Sequence, residues 1–139
     1  MIVLDTNVLS ELMRSAPDAS VTNWVATQSA ANLFVTTITQ AEILHGVLLL
    51  SRGRRRDAIE AAADAMFEED FAGRILLFNS PAAKAYAEIA TTRRQSGRPI
   101  SQFDAQIAAI AKSAGADVAT RNVPDFEGCG IKVIDPWQS

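Results

Sequence analysis

The chain has 139 residues, 48% of them apolar and 21% charged, with a net charge of −3. That length suits one domain over residues 1–139, and no apolar run approaches the roughly 20 residues that cross a bilayer. The acidic balance argues against a protein that coats nucleic acid by charge alone, although basic side chains beside an acidic centre can still hold phosphates.

Residues 1–4, Met-Ile-Val-Leu, form a continuous apolar run ending at Asp5, the pattern of a strand buried on both faces. Nothing basic precedes the run and no cleavage-like site follows, so it does not read as a signal peptide. Thr6 to Met13 has helical spacing, with Val8, Leu9, Leu12 and Met13 on one side. Residues 18–27 suggest a second helix on Val21, Trp24 and Val25. Leu33 to Thr37 is rich in β-branched and aromatic residues and predicts a strand. A helix over Thr39 to Leu50 follows, and another over residues 55–69. Ile75 to Phe78 predicts a third strand. Ser80-Pro81 opens a long helix to about Gln95, with proline suited to its first turn. After a loop at 96–99, Phe103 to Ser113 predicts a helix. Short late strands fall at Val118 to Thr120 and Ile131 to Ile134. Cys129 is the only cysteine, so no internal disulfide forms and a reducing cytoplasm is expected.

Strand and helix alternate almost throughout, which implies a parallel α/β sheet with helices on both faces. In such sheets ligands gather beyond the carboxyl ends of the strands. Asp5 stands at that end of the first strand. Glu42 and Asp104 begin helices, and Thr120, Asn122 and Asp125 follow a late strand. Each acid alone also fits an ordinary local role. Asp5 suits a helix cap, Thr39–Glu42 and Ser101–Asp104 match capping boxes, and Asp125 lies in a Pro-Asp turn. Jointly they are costly: two carboxylates about 5 Å apart repel by about 3 kcal/mol at an effective dielectric of about 20. A dication relieves that repulsion. Hard oxygen donors with little histidine or cysteine nearby favour Mg²⁺ or Mn²⁺ over zinc, and such a centre suits phosphodiester hydrolysis by an activated water.

These segments resemble the PIN-domain family. Ile-Val-Leu-Asp5-Thr6-Asn7-Val-Leu-Ser is similar to its opening, and Thr39-Gln-Ala-Glu42-Ile-Leu-His-Gly46 to its second motif. Pro99 through Asp104 to Ala111 resembles the third, and Ala119-Thr120-Arg121-Asn122-Val-Pro-Asp125-Phe126 the fourth. The nearest group is the VapC and FitB toxins of bacterial toxin–antitoxin pairs. The resemblance implies a three-layer α/β/α sandwich around a short parallel sheet and a Mg²⁺-dependent endoribonuclease in which Mn²⁺ can substitute. It also implies a homodimer held inactive by a small VapB- or FitA-like antitoxin. Asp5, Glu42 and Asp104 match the family's core acids and would hold metal. Asp125 is favoured as a fourth catalytic group, with Asn122 orienting it. Thr6, Asn7 and Thr120 would position water or ligands. Relatives often carry an acid where this chain has Asn79, which is given no catalytic duty.

The remaining polar residues are weaker candidates. Arg121 is expected near phosphate, and Arg98 second. Two basic clusters stand out, Arg52 with Arg54 to Arg56, and Arg93 with Arg94 and Arg98; each alone fits a solvated helix end. His45 reads as a surface or packing residue. Leu9, Leu12, Met13, Leu44 and Leu48 are candidates for a partner groove, or ordinary core. A phospho-accepting signalling domain would share the acidic pocket, but Asp5 stands alone and Asn79, not aspartate, follows Phe78.

Overall fold

The computed structural model describes residues 1–138; Ser139, the last residue of the expected domain span, lies outside them. Ile2–Leu4 (β1), Leu33–Thr36 (β2), Ile75–Leu76 (β3), Asp117–Ala119 (β4) and Val133–Ile134 (β5) form one sheet in the order β3-β2-β1-β4-β5. Every pairing is parallel, with Ile2 opposite both Leu33 and Asp117. The connections carry helices Thr6–Leu12 (α1), Ala19–Ala26 (α2), Thr37–Leu48 (α3), Arg54–Ala65 (α4), Ser80–Gln95 (α5), Gln102–Ser113 (α6) and Val123–Phe126 (α7).

The apolar run at the start of the chain is explained by burial on two sides. Side chains alternate across a strand. Ile2 and Leu4 join one core with Val8 and Leu9 of α1, Val21 and Trp24 of α2, and Ile43 and Val47 of α3. Val3 joins the other, with Ile89 of α5, Ile107 and Ala108 of α6, and Phe126 of α7. The result is the expected α/β/α sandwich. No helix among the described residues is long and apolar enough to cross a membrane.

Element boundaries differ from expectation where several residues compete for one local role. Thr36, at the end of β2, caps α3: its Oγ1 accepts the Thr39 N–H at 3.1 Å. The capping-box reading of Thr39 and Glu42 is therefore corrected. Glu42 lies more than a turn inside α3, and its carboxylate is not engaged at the helix start. The helix expected over 55–69 is α4 followed by a π-helical turn at Met66–Asp70. The Pro-Asp turn around Asp125 is the short helix α7. Asn79 caps α5, its Oδ1 accepting the Ala82 N–H at 3.0 Å.

The second basic cluster is also reassigned. Arg93 is buried in the fold, not solvated, with only 6% exposure. Its Nε donates to the carbonyl of Arg98 at 2.7 Å, and its Nη1 donates to those of Asp125 and Glu127 at 2.8 and 2.9 Å. One guanidinium thus ties the end of α5 to the α7 turn. Replacing it by methionine strands these carbonyls, which should cost about 2–4 kcal/mol. Urea unfolding of Arg93→Met checks this, and a midpoint equal to wild type would remove the staple from the account.

Candidate active site

From β1 the chain winds outward to β2 and β3, then returns to place β4 on the other flank of β1. Strand order reverses between β1 and β4, the place where open α/β sheets bind ligands beyond their strand ends. Asp5 directly follows β1, and Thr120 directly follows β4. The ladder extends one residue past each strand. The Asp5 N–H donates to the Ala119 carbonyl at 2.9 Å, and the Thr120 N–H to that of Ile134 at 2.8 Å. Both residues are therefore tied by their backbone into the sheet ladder.

Asp5 is 4% exposed, and Thr120 is fully buried. Asp5 does cap α1, through Oδ1, which accepts the Thr6 N–H at 2.8 Å. Its Oδ2 accepts from the Thr120 hydroxyl at 2.8 Å and the Asn7 amide at 3.2 Å. Asn7 also donates to Thr120 Oγ1 at 3.2 Å and accepts the Arg121 N–H at 3.2 Å. Thr120 Oγ1 accepts the Asn122 N–H at 3.1 Å. The Thr6 hydroxyl donates to Glu42 Oε1 at 2.8 Å and meets Thr39 Oγ1 at 3.0 Å. Asp104 stands in the first turn of α6, its N–H held by the capping Ser101 at 3.2 Å.

Asp5, Glu42 and Asp104 line one cavity of about 530 Å³, together with Thr6, Asn7, Asn122 and Arg121. Burial, reinforced by the charges of Asp104 and Glu42, pushes Asp5 from 3.8 up to about 6, against the hydrogen bonds from Thr120 and Thr6 that lower it. Burial also raises Asp104, with Asp125 adding to the rise and Ser101 and Arg93 opposing it. The wall offers oxygen donors and no histidine or cysteine, a set that suits a hard dication. Among the described residues no three His, Cys, Asp or Glu side chains are gathered tightly enough to hold an ion unaided. Mg²⁺ sites commonly need only one or two carboxylates, with water and substrate phosphate completing the shell.

The other candidates separate clearly. Arg121 lines the cavity, its guanidinium 5.1 Å from the centre of the Trp137 ring. Arg98 does not; it pairs with Glu127 at 3.1 Å and donates to the Pro124 carbonyl at 3.3 Å. Asn122 lines the cavity, whereas Asp125 is exposed and outside that lining, close enough to Asp104 to raise it. His45 is exposed and lines, with Phe103, a hollow that adjoins the cavity only through Glu42. Cys129 is buried, and burial pushes its thiol up, away from thiolate chemistry.

Four residues in the cavity wall escaped the sequence reading: Ser10, Glu11, Arg14 and, as a lining group, Trp137. Glu11 is 7% exposed, accepts the Asp18 N–H at 2.9 Å, and pairs with Arg14 at 3.3 Å. Its three-residue spacing from Arg14, just past the end of α1, was the available signal.

The fold and this cavity define a class: small parallel α/β domains with carboxylates gathered at the switch point of the sheet. Residues 2–125 match the family model described as PIN domain, and the chain belongs to the PIN-domain family. It is 41% identical to plasmid stability protein StbB of Pseudomonas syringae pv. tomato over 100% of both chains. It is 38% identical to VapC ribonuclease Y4jK of Sinorhizobium fredii over 99% of each. The crystal structure of FitAcB from Neisseria gonorrhoeae superposes with a TM-score of 0.95 at 36% identity, covering 100% of both chains.

The folded value of about 6 for Asp5 lies above its ordinary 3.8. Its contribution to stability is therefore full below about pH 4 and is lost as pH rises through about 6, a change of about 3 kcal/mol. Thermal unfolding in EDTA should show a fall in wild-type Tm across that window that Asp5→Asn lacks. Thr120→Val removes a bond that lowers Asp5, so the same fall should move to higher pH. An unmoved curve in Thr120→Val would separate the hydroxyl from Asp5.

Proposed function

We propose that this chain is a Mg²⁺-dependent endoribonuclease, with Mn²⁺ able to substitute, and acts as the toxin of a toxin–antitoxin pair that inhibits translation. The observation that carries the reading is the convergence of Asp5, Glu42 and Asp104, from three separate segments, on one cavity that Arg121 also lines. The relatives named VapC ribonuclease and FitAcB support it. The site chemistry serves any phosphodiester; the relatives favour RNA.

In this reading Asp5, Glu42 and Asp104 would supply the carboxylates for the cation, with water and substrate phosphate completing its shell. When bound, Mg²⁺ offsets their mutual repulsion, lowers the pKa of a water and stabilises charge that develops on the phosphate. The chain's own residues organise the rest. Thr120 and Asn7 keep Asp5 ionised against its burial. Thr6 fixes Glu42. Arg121, held over Trp137, meets the non-bridging oxygens of the phosphate. Asn122 positions substrate or water at the rim, and Asp125 acts on the site through its field at Asp104.

A VapB- or FitA-like antitoxin is the proposed partner, and a homodimer the proposed state, in the cytoplasm. An apolar groove of about 410 Å³ supports the partner reading. It is lined by Met13, Ile43, Val47 and Leu50 and adjoins the acidic cavity through Thr6, Ser10 and Glu42. Of the apolar residues expected there, Leu9 is buried core, and Leu12 and Leu44 are half-buried against it.

Incubation with total cellular RNA, with mapping of the cut ends, tests the activity. EDTA should stop cleavage and Mg²⁺ restore it. Asp5→Asn should lower turnover by about 10³-fold or more while the protein stays folded, the scale of loss when a group central to catalysis is removed. Wild-type turnover in that variant would remove Asp5 from the mechanism. Expression of the wild-type chain alone should slow growth, and that of Asp5→Asn should not; unaffected growth with soluble, folded wild-type protein would end the toxin reading.

A further inference from the structure

Arg52, Arg54, Arg55 and Arg56 fall within five residues of sequence, at the connection from α3 into α4. Arg52, Arg54 and Arg55 are exposed and Arg56 is half-buried. Arg14, Arg93 and Arg98 have carboxylate or carbonyl partners. Among the described residues, none of these four forms an ion pair or a side-chain hydrogen bond. Asp57 and Glu60 follow in α4, so the excess positive charge lies at the loop and the first turn. The four arginines line a hollow of about 370 Å³.

That hollow leads toward the acidic cavity. Arg55 also lines a second hollow of about 570 Å³, whose far wall is Ser10, Met13 and Arg14. Ser10 and Arg14 in turn line the cavity of Asp5, Glu42 and Asp104. Shared residues therefore join the three depressions into one path, acidic at one end and increasingly basic along its length. Met13 and Ile59 form an apolar stretch of the middle section, a surface on which bases can lie.

We propose that Arg52, Arg54, Arg55 and Arg56, with Arg14 as the link, form a phosphate-binding track for the single-stranded RNA that flanks the cleaved bond. The proposal rests on the ribonuclease reading. A strand whose scissile phosphate sits in the acidic cavity must leave it in some direction, and this path offers successive guanidinium groups, each able to grip a phosphate through paired N–H donors. Such contacts carry no base preference. The track therefore strengthens binding of long RNA without choosing the target.

The test is fluorescence anisotropy in EDTA with fluorescein-labelled oligouridylates of about four and about sixteen nucleotides, using wild type and Arg52→Ala/Arg54→Ala/Arg55→Ala. The triple variant should bind the long strand about tenfold more weakly and the short one as wild type does. Its salt slope on the long strand should fall by about 2, from three lost contacts at about 0.7 each. Equal affinity for the long strand, or equal weakening on both, overturns the track. If circular dichroism shows the triple variant unfolded, Arg52→Gln/Arg55→Gln is read in the same way, with a slope fall of about 1.4 from two lost contacts. Unchanged RNA binding with lost binding of a co-expressed antitoxin would assign the arginines to the protein partner and overturn the proposal. Cleavage of total RNA in Mg²⁺, run in parallel, separates the two readings. Wild type that binds through the arginines but cuts nothing fails the ribonuclease reading alone. Wild type and variant that bind and cut long RNA alike fail the track alone.

Discussion

Everything at the strand ends depends on one buried carboxylate. Asp5 sits between the two central strands, where burial disfavours its charge and three donors favour it. Those donors come from residues 6, 7 and 120, so the pairing of β1 with β4 and the assembly of the site are one event. Glu42 is joined to the same hub through Thr6. Asp104 arrives from a separate helix and is felt through its charge. The fold thus concentrates negative charge where the backbone is bonded into the central strands, so moving it to relax the charge breaks ladder bonds. Cations, protons or substrate-borne counter-ions are the remaining ways to relieve it.

The balance of −3 hides a division of charge. Four acids, Asp5, Glu11, Glu42 and Asp104, gather at the cavity. The arginines are spread around it in three distinct situations. Arg121 rests on an aromatic face, Arg14 on a buried glutamate, and Arg52 to Arg56 without an ionic partner among the described residues. Arg93, grouped with basic neighbours by sequence proximity, is structural. Position along the chain says little about which of these an arginine becomes; the neighbouring carbonyls and carboxylates decide it.

The parts readable from sequence were those governed by local rules or by alternation of elements. The run at residues 2–4 is apolar because it is buried on both faces, so the central strand and the aspartate after it could be located. Ser101 caps α6 as its spacing suggests. The start of α3 was harder, because Thr36, Thr37 and Thr39 all suit a cap, and only the end of β2 selects the first. Glu11 was hidden because its burial is set by α2, whose Asp18 N–H it accepts from across a turn. Arg98 was placed near phosphate by proximity to a motif, yet Glu127, far along the chain, holds it. Trp137 reaches the cavity because residues after β5 fold back over α2 and the loop following β4, a long-range return that no local pattern announces.

The outermost strands of the sheet, β3 and β5, have two residues each. An edge that brief presents too few free N–H and C=O groups to seat an incoming strand, which is a common guard against uncontrolled stacking of sheets. Growth of the sheet from molecule to molecule is blocked at both borders. The surface left for a partner is made mostly of helix faces and side chains. Recognition so built is decided by shape and charge, and is open to revision one substitution at a time.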